Sequence, residues 1–132
     1  MIQEFEVLAK QIISMAKENK PAELVRKKTV ELIDKATPIL TEYQRQSPNC
    51  QEFLSIVINK KSEMMNLKLS EIEKLYHDGD ALPEANDECY NAKELLVHPA
   101  TVYIITNNKY NQSGREQIVE ELEELLAHSD IL

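Results

Sequence analysis

A glutamate stands four residues ahead of each of the three histidines: Glu73 before His77, Glu94 before His98 and Glu124 before His128. Two of these pairs share nearly the same pentapeptide, Glu94-Leu95-Leu96-Val97-His98 and Glu124-Leu125-Leu126-Ala127-His128. On a helix, positions i and i+4 lie on one face. Each pair can therefore offer a carboxylate oxygen and an imidazole nitrogen to one divalent ion. The spacing differs from the motifs such sites usually carry. Di-metal bundles use Glu-x-x-His on two helices and zinc peptidases use His-Glu-x-x-His; neither is present. A simpler account needs no ligand. Each His falls at the C-terminal end of a predicted helix, where an imidazolium meets free carbonyls and the negative end of the helix dipole. The expectation is thus no metal and no cofactor, with Glu73, His77, Glu94 and His98 as the residues of a metal-dependent alternative.

Other chemistry is weaker. His77-Asp78-Gly79-Asp80 lacks the alternating acids and the twelfth-position Glu of a calcium loop and reads as a helix end followed by a turn. Cys50 would need a base and an electropositive setting to act as a nucleophile, and no His is near it in sequence. Cys50 and Cys89 are too few for a disulfide framework and are not in a Cys-x-x-Cys arrangement; they are expected to be buried thiols in a reducing cytoplasm.

Two glycines in 132 residues exclude the nucleotide-binding loops, which need clustered Gly where the backbone approaches phosphate. A formal charge of −8 argues against nucleic acid as a partner and suits a basic protein. No apolar run approaches the ~20 residues of a membrane span, and the acidic N-terminal segment is unlike a secretory signal.

The elements that must position these residues are helices. Ile2, Phe5, Leu8, Ala9, Ile12, Ile13 and Ala16 recur at three- and four-residue spacing and predict a helix over 2–19. A second restarts at Pro21 in its first turn and carries Pro38, which should kink it. A third, of roughly 28 residues and about 42 Å, is expected up to His77 with an interruption at Lys61 or Ser62. The fourth starts between Glu84 and Asp87, and His98-Pro99 should break or bend it. Residues 101–106 are the most β-prone stretch. No second strand exists to pair with them, so they are read as a buried helix continuing from Pro99, with a strand as the alternative. Ser113-Gly114-Arg115-Glu116 has capping-box spacing and should open the last helix. The sum is a single all-α domain over 1–132, an up-down antiparallel bundle of four to five helices, one kinked at Pro38 and one bent at Pro99.

From this pattern the expected function is protein–protein interaction rather than catalysis: a cytosolic adaptor, chaperone-like regulator or inhibitor of a basic partner, or a homodimer. The expected surface combines Leu95, Leu96, Val102, Tyr103, Ile104 and Ile105, denser than one bundle face needs, with Glu120, Glu121 and Glu124. The competing account of the apolar group is a central helix buried on all sides. The alternatives in function are a metal-dependent helical-bundle enzyme, which requires Glu73/His77 and Glu94/His98 to face each other across the core, and a carrier of a small apolar ligand.

Overall fold

The computed structural model describes residues 1–129, and among them there are helices and no strand. α1 (Ile2–Lys17) buries Phe5, Leu8, Ala9, Ile12 and Ala16, the predicted stripe. Asn19 takes a left-handed φ of 56°, and the Lys20 N–H bonds back to the Met15 carbonyl, which turns the chain into α2. Pro21 precedes α2 (Ala22–Gln46) as its cap residue rather than opening its first turn, and the helix passes through Pro38 without interruption.

The long third helix is not formed. A short 3₁₀ turn (Pro48–Cys50) leads into α3 (Gln51–Asn59), α4 (Lys61–Met65) and α5 (Leu69–Ile72), and α5 passes directly into a π-turn (Glu73–His77). The breaks fall at Lys60 and Asn66, whose ψ near 0° closes each short helix. They let α3, α4 and α5 each turn an apolar face to the same neighbour, α6. A straight 42 Å rod could not follow that surface. Seven α-helical segments thus stand where four to five are expected.

α6 (Asp87–Asn108) is the centre of the molecule and packs on α2, α7, α3, α4 and α5. Asn86 caps it by accepting from the Cys89 N–H. It does not break at His98-Pro99. Losing one backbone bond at proline costs about 3 kcal/mol, and burying one large apolar side chain returns ~1.5–3 kcal/mol. α6 buries Leu95, Leu96, Val97, Val102, Ile104 and Ile105 completely or nearly so. Residues 101–106 are helix, as expected. The same burial corrects the expected interaction surface: Leu95, Leu96, Val102, Ile104 and Ile105 are core, and Tyr103 is half-buried. Their density reflects a helix covered on all sides.

α7 (Gln112–Ser129) begins one residue before the proposed capping box. Asn111, not Ser113, supplies the cap, its Oδ1 accepting from the Gly114 N–H at 2.8 Å. Gly114 is there for space: a Cβ at this position would lie 1.7 Å from the Lys109 carbonyl oxygen. Gly79 serves the other purpose, a turn with φ of +89°. α1 lies against α2 and α7 and completes the packing. Cys50 and Cys89 are not free thiols. They form a disulfide that ties the 3₁₀ turn to the first turn of α6, and the cytoplasmic inference drawn from free thiols loses its premise. No helix among the described residues is long and apolar enough to cross a membrane.

Candidate metal centre

The three histidines converge. His77 ends the π-turn, His98 lies in the middle of α6 and His128 in the last turn of α7. The ring centroids of His77 and His98 are 5.7 Å apart, and those of His98 and His128 6.0 Å. The helix-end account therefore fails for His98, which is 1% exposed and mid-helix. Of the two Glu/His pairs of the metal-dependent alternative, His77 meets the Glu94/His98 pair, through Glu94. Its Oε2 lies 3.1 Å from His77 Nδ1 and 3.0 Å from His98 Nε2. One ligand atom from each of His77, Glu94 and His98 falls within 4.8 Å of the others. Glu73 stays outside this group, exposed, next to His77 and Asp78.

Local structure explains the convergence. A π-turn widens the helix by one residue and re-aims side chains, and such turns are frequent at functional sites. Here it directs His77 at α6. Glu94 and His98 share a face of α6 because they are one turn apart. Glu121 and Glu124, one turn apart on α7, meet that face from the other side.

His98 has two distinct ring nitrogens. Nδ1 donates to Glu121 Oε2 at 2.8 Å, because an ionised carboxylate can only accept. Nε2 lies 3.0 Å from Glu94 Oε2 and 3.8 Å from Glu124 Oε2. Neither contact has hydrogen-bond alignment, so Nε2 is a buried polar atom without a partner. This is the pattern of a metal-ligating imidazole, which gives its far N–H to a carboxylate and points its other nitrogen at the ion.

Charge in the centre alternates. Lys93, 2% exposed, donates to Glu94 Oε1 and, at 2.8 Å, to the His77 carbonyl. It thereby neutralises Glu94 from behind and holds the π-turn in place. Burial pushes the Glu94 carboxyl up, but His77, His98 and Lys93 together hold it well below the usual carboxylate range. Burial likewise opposes a charge on His98; the bond to Glu121 and the neighbouring Glu94 carboxylate outweigh it and push its pKa up to about 9. The bond to Glu94 also raises His77.

The centre opens on two sides. A groove of about 650 Å³ is bordered by Glu73 and His77 on one wall and by Glu116, Glu120, Glu121 and Glu124 of α7 on the other. A second opening of about 440 Å³ reaches Lys93, Glu94 and His128 past Tyr90. Glu120, Glu121 and Glu124, expected as part of an interaction surface, therefore line the groove. Sequence reasoning missed Lys93 and the pairing of Glu121 with His98. An apolar helix face with a lysine in it, at Lys93 among Ala92, Leu95 and Leu96, is the signal that was present.

No family model, curated protein or solved structure matches the chain.

Proposed function

We propose that this protein is a metal-dependent helical bundle that binds one first-row divalent ion through His77 Nδ1, Glu94 Oε2 and His98 Nε2, with Glu124 close by at the rim. The single observation that carries the reading is the unpartnered, buried Nε2 of His98, facing two carboxylates while Glu121 holds its other nitrogen. Ligand atoms held ~2.0–2.1 Å from one ion stand roughly 3 Å apart. The 3.0 and 3.1 Å separations about Glu94 Oε2 match that spacing. Two imidazoles with carboxylates suit zinc or iron(II) better than calcium or magnesium. Both cysteines are engaged elsewhere and supply no thiolate. When bound, the ion would supply a Lewis acid at the inner end of the groove. The chain's own part is to neutralise Glu94 with Lys93, orient His98 with Glu121 and leave Glu124 adjustable at the rim.

The test is zinc titration against a chromophoric chelator. One ion per chain is expected, and His77→Ala, a change at a half-exposed side chain, should weaken it about 100-fold or more. Absence of stoichiometric zinc, or an unchanged affinity in His77→Ala, would overturn the reading.

A second reading rests on Lys93. Lys93, Glu94, His98 and Glu121 alternate in sign and can neutralise one another without an ion, which makes the cluster a structural network. The protein-interaction reading is left with the acidic row of α7, since its apolar half is core. An apolar-ligand carrier fits poorly with a groove lined by carboxylates.

A further inference from the structure

Three protein ligands leave part of the ion's coordination open, and the second opening of the centre leads to it. Structural zinc sites are closed by four protein ligands; sites with three keep a position for water or substrate. The cavity of about 440 Å³ is bordered by His77, Glu94, Lys93, Asn91 and His128, with Asp78 exposed at its rim. Its size is that of a small-molecule site. One wall is Tyr90, and it is firmly packed. Its ring meets Phe53 edge-on with centroids 5.1 Å apart, and its hydroxyl donates to the Pro83 carbonyl. Gly79 makes room for it, since a Cβ there would lie 3.1 Å from the Tyr90 ring.

Lys93 points to a ligand in this cavity. Its side chain is 2% exposed and borders the opening. An ammonium carries three N–H donors. Two reach acceptors, Glu94 Oε1 and the His77 carbonyl. Among the described residues the third has no oxygen or nitrogen acceptor, and the Tyr90 ring lies 5.5 Å from Nζ. A ring face attracts the charge but leaves that buried N–H available to a stronger acceptor. Charge decides what the acceptor is. The ion and Lys93 bring three positive charges against the two negative ones of Glu94 and Glu121, with both ligating imidazoles neutral. The surplus of one is partly offset by Glu124 from the groove side, where that side chain is 60% exposed. On the cavity side Asn91 and His128 add N–H donors. The groove, walled by Glu116, Glu120, Glu121 and Glu124, repels an anion.

We infer that the second opening is a binding site for a small monocarboxylate, which sets one oxygen on the ion and the other against Lys93 and Asn91. This inference rests on the metal reading for the first of those contacts. An ionised carboxylate is acceptor-only and has two oxygens, which suits a Lewis acid and an N–H donor side by side. A neutral amide meets the same donors without answering the surplus charge, and an organic cation is repelled by it.

The experiment uses cobalt(II) in place of zinc, because its visible absorption reports a change of ligand. Acetate and its neutral isostere acetamide are titrated into the cobalt-saturated protein in chloride-free buffer. Acetate should shift the spectrum saturably and bind about tenfold or more tighter than acetamide, the least that a close charge pair supplies. Asn91→Asp, which sets a like charge on the cavity wall, should weaken acetate by about threefold or more, the scale of one partly screened charge contact. Glu120→Gln, in the groove, should change it by less than about twofold. No saturable shift, equal affinity of acetate and acetamide, or equal responses of the two variants would overturn the inference while leaving the metal reading intact. The comparison of acetate with acetamide needs the wild type alone and stands if Asn91→Asp does not fold. Failure to load cobalt, read separately as metal per chain, removes the metal reading and with it the anchor of the carboxylate.

Discussion

His98 Nδ1 sits 2.8 Å from Glu121 Oε2, across the seam between the central helix α6 and the last helix α7. That contact keeps a proton on Nδ1 and fixes the orientation of the ring. It leaves Nε2 to face Glu94 and Glu124, and the rest of the centre follows from that orientation.

Glu94→Gln should be the most damaging single change in the metal-free protein. It strands Lys93, which is 2% exposed, and deprives His98 of one of its counter-charges. Breaking a buried ion pair from one side costs about 3–5 kcal/mol. Urea unfolding should show a loss of that order, whereas Glu120→Gln on the exposed rim should stay within about 0.5 kcal/mol.

Stability of the metal-free protein should fall between pH 6.5 and 9. His98 is surrounded by Glu94 and Lys93 on α6, by His77 from the π-turn, and by Glu121, Glu124 and His128 from α7. Its folded pKa of about 9 lies above its ordinary 6.5. The folded state thus binds the proton more tightly, and the resulting stabilisation is complete below pH 6.5 and lost as pH rises through 9. Zinc affinity should move the opposite way over the same window, because the ion needs the unprotonated ring. Thermal melts with chelator, and zinc titrations, at pH 6 and 9 check both directions.

How much of this was legible in the sequence depends on the range of the interaction. The stripe of α1 is local and could be read from spacing; residues 101–106 read locally as strand, and their helical state followed from the lack of a second strand to pair with them. The Glu73/His77 and Glu94/His98 pairs were visible as pairs, but nothing local says that the π-turn directs His77 at α6. His98 was misplaced at a helix end because the rule for residues before proline is local, and the burial that overrides it is tertiary. The cysteines are 39 residues apart and gave no spacing signal. Glu121 was read as surface because its partner lies 23 residues away on another helix.

Reducing the Cys50–Cys89 bond should destabilise the protein by about 4 kcal/mol, from the chain entropy of a loop closed over 39 residues. That loop contains the π-turn and His77. Cys50→Ser with Cys89→Ser should therefore lower both the melting temperature and zinc affinity, readable by calorimetry and chelator competition.

Gly114→Ala should cost about 1–3 kcal/mol, the usual penalty for forcing an atom into packed space. The added Cβ would meet the Lys109 carbonyl at 1.7 Å, a backbone atom that cannot swing aside. Gly79→Ala is strained differently, by its φ of +89°. Denaturant midpoints of the two variants measure both effects.

Zinc-edge X-ray absorption on the loaded protein tests the central claim most directly. Two imidazoles with oxygen donors are expected in the wild type, and one imidazole in His77→Ala. A spectrum without imidazole scattering, or with the same imidazole count in both proteins, would contradict a centre built on His77 and His98.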